Sequence, residues 1–372
     1  MSFRLSAFYF IFFVYAGLMV AYLPAYLAAR GLGAAQIAWV LALPQLARIV
    51  APAAWGALAD RSGAQRAIVV FACAANAACF ALLPFMGDFA AIAWLMAVTS
   101  LVSTAALPLV EAITLGALAG QAGRYGPIRL WGSLGFMGAV FAGGAWLDFH
   151  AVYTLPVAML GFALGALAVA TLLPAQPLHL AASATRLPMN AAATLLLASG
   201  FCMAVAHGTL YAFFTLHLQR EGYSGSLIGF LWMLGVLGEI LVFLFLPALF
   251  RRFALSTILV ASAACGVARF LAIGWAADWL AILLAAQLLH AATFGSFHAA
   301  AVAAVHRVFP PHAQARGQSL FSSVGYGAGG ALGALAAGWA WEAAGPGLAF
   351  TVSAGAAAAG LLFAYPLKRK GL

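Results

Sequence analysis

A chain of 372 residues that is 66% hydrophobic and 7% charged, with a mean hydropathy of +1.05, cannot clothe itself as a water-soluble domain. A soluble domain carries roughly a quarter of its residues charged, so most of this surface must face lipid, with no room left for a sizeable soluble domain. The net charge of +9 would suggest nucleic-acid binding in a soluble protein; here its placement along the chain makes it a topological signal, and no nucleic-acid partner is expected.

A bilayer-spanning helix needs about 20 apolar residues. Runs of that kind predict helices near 5–29, 34–59, 67–86, 89–119, 128–147, 151–173, 191–218, 227–249, 257–276, 280–308, 317–341 and 348–366. No strand pattern is present. The first stretch follows Arg4 and continues to Ala29, too long for a signal-peptide core, so it reads as a retained first span. Pro24, Pro44, Pro52, Pro84, Pro108, Pro156 and Pro247 fall within or at the ends of helices and predict kinks.

One set of helix ends carries Arg4, Arg61, Arg66, Arg124, Arg129, Arg186, Arg251, Arg252, Arg307, Arg316, Lys368, Arg369 and Lys370. The other carries Arg30 and Arg220 with Asp88, Asp148, Glu221, Asp278 and Glu342. By the positive-inside rule both termini are cytoplasmic, as for a multi-pass protein of a bacterial inner membrane. The longest break, 174–190, is polar and cytoplasmic and reads as a linker between an N-terminal six-helix half, 1–173, and a C-terminal half, 191–372. Shifting by 191 residues aligns 17–61 with 208–252 without a gap, so the halves read as parallel repeats. Such repeats place a solute site near mid-membrane. The four cysteines, Cys73, Cys79, Cys202 and Cys265, sit in apolar runs with no CxxC spacing and read as packing residues.

The informative residues are the charges inside spans: Arg48, Glu111, Glu239 and Arg269. Each costs about 2.5–3.5 kcal/mol at a helix centre on insertion scales and needs a reason to be there. The 191-residue shift sets Arg48 on Glu239, giving the halves opposite charges at equivalent positions. The pair reads either as a substrate or gating element or as a structural ion pair locking the halves. Arg269 lies near the centre of helix nine. Glu111 lies toward the cytoplasmic end of helix four, on one helical face with Ser100, Thr104 and Pro108, and reads as a proton carrier or as a snorkelling carboxylate.

His207, His290 and His298 are also deep, and 290, 294, 297 and 298 share a face of helix ten, so imidazole and phenyl alternate with Phe294 and Phe297. Each histidine is a packing residue or a proton relay. The eight residues between His290 and His298 span ~12 Å, too far for one metal ion unless the helix bends, and no metal or cofactor is expected. Tyr22, Tyr26, Tyr211, Phe213, Phe214 and Trp232 either line an apolar cavity or pack against neighbours and lipid. On the cytoplasmic side, Gly56, Asp60, Arg61, Gly63 and Arg66 form a loop able to latch one conformation, and Arg129 is counted with that gate. There is no H-E-x-x-H and no nucleophile elbow, so an enzyme is not expected.

The loop 56–66 resembles the G-x-L-x-D-R-x-G-x-x-R signature of the major facilitator superfamily, at its place between helices two and three. Its counterpart, Pro247 to Arg252, has Arg251 where the acid should stand, so the latch is expected to be asymmetric. Within the superfamily the chain is similar to the phenylpropionate permease branch, itself related to proton-coupled sugar and nucleoside symporters. The residues carrying this are Tyr125 to Ser133, the His207 region, Gly222-Tyr223-Ser224 with Leu231-Trp232 and Glu239, Gly266 to Arg269, and Leu289-His290 with Thr293, Phe294 and His298.

The resemblance implies a twelve-helix fold of two pseudo-symmetric halves, taking up an arylpropionate-type acid with a proton and working as a monomer. The charges fit: two Arg and two Glu sum to zero, and a co-bound proton offsets an added carboxylate. Arg48 or Arg269 would hold the carboxylate, with Glu239, His207, His290, Trp232, Tyr22 and Phe294 around the solute. Glu111, Glu239, His290 or His298 would take the proton. An exporter, or a symporter of a neutral sugar or nucleoside, is the alternative.

Overall fold

The computed structural model describes residues 2–118, 121–174 and 187–372. Most of the linker expected over 174–190, Arg186 included, lies outside them. Every regular element among the described residues is helical. The first ten spans are α1 (Ser2–Ala29), α2 (Ala34–Ser62), α3 (Gln65–Phe85), α4 (Phe89–Ala117), α5 (Tyr125–Phe149), α6 (Val152–Thr171), α7 (Ala191–Arg220), α8 (Gly225–Arg252), α9 (Leu255–Trp275) and α10 (Leu280–Val308). An eleventh run, Pro311–Lys370, is 60 residues long and breaks at Ala344 and Gly345. Gly345 has φ +77°, which only glycine adopts freely, and Pro346 then opens the next helix. The run is therefore two spans, α11 (314–343) and α12 (346–364), and the total among the described residues is twelve, as the apolar runs predict.

Three helices depart from regularity. α4 bends where Pro108 predicts a kink: the single span turns at Thr104 and Ala105 and resumes at Ala106. Pro108 has no N–H for the carbonyl of residue 104, which is where the turn falls. α10 widens into a π-helix over Ala291–Ser296, and α11 does so over Ser323–Gly329. Such segments cluster at functional sites.

The chain divides into two compact units. The first is Met1–Leu32, Leu46–Ala182 and Ser224–Phe230; the second is Gly33–Gln45, Ser183–Tyr223 and Leu231–Leu372. The first turns of α2 and α8 thus cluster away from the rest of their own helices. Both units are held by small residues that let backbones meet. In the first, a methyl group on Gly135 of α5 would strike the Phe10 carbonyl of α1. In the second, α7 and α11 touch at Gly208 and Gly333, and a Cβ on Gly329 would sit 2.7 Å from the Phe201 carbonyl.

Gly208→Leu is expected to destabilise the fold by about 1–3 kcal/mol, read as loss of monodisperse protein in detergent and an earlier midpoint in SDS titration. Gly355→Leu, at a site with nothing within 4 Å, is expected to leave both unchanged.

Candidate functional site

Arg269 organises the second unit. It has 0% exposure, and its donors go to neutral acceptors on α10. Nε donates to the Ala286 carbonyl (2.9 Å), Nη1 to Thr293 Oγ1 (3.0 Å) and Nη2 to Gln287 Oε1 (3.2 Å). Its guanidinium carbon also stands 5.5 Å from the centre of the Phe270 ring.

Around it α7, α8 and α10 bring together the predicted residues His207, Trp232, Glu239, His290 and Phe294. His290 Nε2 lies 3.9 Å from Glu239 Oε2. The His207 and His290 rings are 6.1 Å apart. The stripe expected on α10 is present: His290 stacks on Phe294 at 5.3 Å and Phe294 on His298 at 6.0 Å. Phe297 turns away into an apolar core. Trp232 donates Nε1–H to Thr215 Oγ1 (3.0 Å) and stacks with Tyr211 at 6.3 Å, while His298 Nδ1 meets the Tyr326 hydroxyl at 2.6 Å.

Three buried polar atoms here have no hydrogen-bond partner: His207 Nε2, Gln287 Nε2 and His290 Nδ1. His207 Nδ1 sits 2.8 Å from the Met203 carbonyl and must donate to it, which leaves Nε2 as an acceptor in the neutral ring. Gln287 spends its oxygen on Arg269, leaving two N–H donors on the amide. The cluster therefore offers an acceptor and a donor to a polar guest. Among the described residues, no group of three His, Cys, Asp or Glu side chains is placed to hold a metal ion.

The first unit holds the remaining predicted residues. Arg48 is exposed on α2, within electrostatic reach of Tyr15. Glu111 faces Arg129 and Tyr125, and the Arg129 guanidinium lies 4.3 Å over the Phe13 ring. Arg129, counted from sequence with the cytoplasmic loop, thus meets Glu111. Tyr22 is buried, with its hydroxyl spent on the Val140 carbonyl. In the loop, Asp60 Oδ1 is buried without a hydrogen-bond partner, and Arg66 Nη1 reaches the Leu173 carbonyl at 3.4 Å. Gly56 has open space around it, as does Gly63, whose φ of +62° makes the turn, and Arg61 is exposed.

Sequence reasoning passed over Gln287, Tyr326 and the pairing of Thr293 with Arg269. The available signal was position: Gln287 and Thr293 flank His290 by three residues on either side in an otherwise apolar span.

Residues 2–352 match the MFS_1 like family. A maltose permease of Geobacillus stearothermophilus is 28% identical over 332 residues, covering 87% of this chain and 83% of that protein. A probable 3-phenylpropionic acid transporter of Escherichia coli (strain K12) is 35% identical over 188 residues, 48% of each chain. In fold, the chain superposes on the crystal structure of nucleoside transporter NupG with a TM-score of 0.85 at 18% identity, covering 99% of this chain and 98% of that one.

Thr293→Val keeps the side-chain shape and removes an acceptor from a buried cation. It is expected to cost about 1.5–3 kcal/mol in SDS-titration unfolding, whereas Thr293→Ser retains most of the stability.

Proposed function

The chain belongs to the MFS_1 like family of membrane transporters and is not an enzyme; from that premise we propose that it is a proton-coupled symporter importing a small aromatic or apolar carboxylate, of the 3-phenylpropionate kind. It works as a monomer in a bacterial inner membrane with both termini cytoplasmic, and alternating access is a rocking of the halves 1–173 and 191–372.

The observation that carries this reading is the Glu239–His290 contact of 3.9 Å beside the buried Arg269. A carboxylate guest adds a negative charge to poorly solvated surroundings, and a proton taken by the Glu239–His290 couple offsets it. The two groups are close enough to titrate as a pair. Arg269, with three donors on neutral acceptors, sets the field at the histidines, and Arg48 is the proposed holder of the guest carboxylate. Trp232 and Phe294 take the apolar part of the guest, and His298 and Glu111 are the alternative proton acceptors. Similarity to the probable 3-phenylpropionic acid transporter supports the substrate class.

A second reading, symport of a neutral polar solute, is favoured by the unpartnered His207 Nε2 and Gln287 Nε2, which suit a hydroxyl. The similarity to a maltose permease over 87% of the chain points the same way.

Proteoliposomes separate the two. Labelled 3-phenylpropionate is expected to accumulate when the interior is made alkaline, while maltose and uridine are not. Accumulation indifferent to the gradient would sink the coupling, and uptake of maltose or uridine instead would transfer the assignment to the neutral solute. Glu239→Gln is expected to lose uphill accumulation yet keep counterflow. Arg48→Ala is expected to raise KM about ten- to a hundredfold.

A further inference from the structure

Two carboxylates at the cation-poor helix ends do the same work at repeat-related places. In the first unit, Asp148 at the end of α5 accepts from the first turn of α8: from Gly225 N, from Ser226 N at 2.9 Å and from the Ser226 hydroxyl. In the second unit, Glu342 at the end of α11 accepts from the first turn of α2, from Ala35 N at 2.8 Å. Each carboxylate occupies the N-terminal end of the partner helix, where free N–H groups and the helix dipole favour an anion.

One turn before each carboxylate stands a glycine that brings the backbones together. A Cβ on Gly144 would collide with the Gly225 carbonyl, and one on Gly338 would lie 3.0 Å from the Ala34 carbonyl and 3.2 Å from Ala35 Cα. The correspondence holds in sequence. Asp148 and Glu342 are 194 residues apart, as are Gly144 and Gly338. The recipients Ala35 and Ser226 are 191 apart, as are Ala34 and Gly225, the same shift that relates the halves. Each carboxylate therefore comes from one repeat and caps a helix of the other, and the two arrangements are copies.

We infer that Asp148 and Glu342 are a matched pair of positioning residues for transport: they clamp α8 to α5 and α2 to α11, and both must release for the solute site to open on the cation-poor face. Both side chains are exposed, so water can take over their bonds on release. Their capping bonds are of a strength a transport cycle can break repeatedly.

The test needs no substrate. Amide hydrogen exchange is followed on the full chain in lipid nanodiscs. Asp148→Asn is expected to raise exchange at 225–229, and also at 34–38, by about tenfold. Glu342→Gln is expected to do the reverse, raising exchange at both places from the other end, and Asp148→Glu is expected to restore protection. A rise confined to the variant's own partner amides would mean two independent local caps and would overturn the inference. Residues 203–210 of α7 report global unfolding. Should they also lose protection in Asp148→Asn, Ser226→Ala, which removes one donor, decides: a rise at 34–38 supports the pair and its absence refutes it.

Discussion

A guanidinium sealed inside a membrane bundle must find its acceptors in protein, and Arg269 finds them on one helix. The Ala286 carbonyl, the Gln287 amide and the Thr293 hydroxyl all lie within about two turns of α10. A regular helix commits the carbonyl of residue 286 to its own ladder. A backbone carbonyl has two lone pairs, so it can also accept from Arg269. His290 sits between the residues that Arg269 holds, so fixing the cation also fixes the imidazole 3.9 Å from Glu239 and the ring stack that follows it.

The neutrality of those acceptors matters for the proposed coupling. If Arg269 leaned on Glu239 for its hydrogen bonds, protonating Glu239 would strip a buried cation of its partner, at a cost of several kcal/mol. With three neutral acceptors in place, Glu239 can gain or lose a proton while the Arg269 hydrogen bonds stay made. A buried cation that tolerates a change of charge beside it suits a carrier better than a permanent interlock. The proposed function therefore uses Arg269 as a fixed cation and leaves the proton to its neighbours.

The spans were legible because twenty apolar residues in a row is a property of composition. The twelfth emerged at Ala344, Gly345 and Pro346, where the sequence already leaves a gap between runs. Depth was legible too: Arg269, His207 and His290 are buried where their place in an apolar run puts them. Partners were not. The i−5 turns at 291–296 and 323–329 carry no compositional mark that separates them from α-helix, so neither the reach of Thr293 to Arg269 nor that of Tyr326 to His298 could be counted off by spacing. Pro108 was visible, but whether a membrane proline kinks a helix or breaks it depends on what fills the freed carbonyl. Asp148 and Glu342 read only as end charges for topology, because capping the start of a distant helix is a tertiary fact.

The cation-rich and cation-poor helix ends treat their carboxylates in opposite ways. On the cation-rich face Asp60 Oδ1 is buried with no hydrogen-bond donor, although Arg61 and Arg66 are close by in sequence. On the cation-poor face Asp148 accepts three bonds and Glu342 takes the amide at the start of α2. For the proposed alternation between two latched states, an oxygen in need of a donor at one set of helix ends and satisfied carboxylates at the other mean that the bonds given up are of the same kind as those to be made. Helix capping and charge-assisted hydrogen bonds lie within a few kcal/mol of one another. Under the proposed alternating access the exchange would be nearly balanced, and a bound solute with its proton would be enough to tip it.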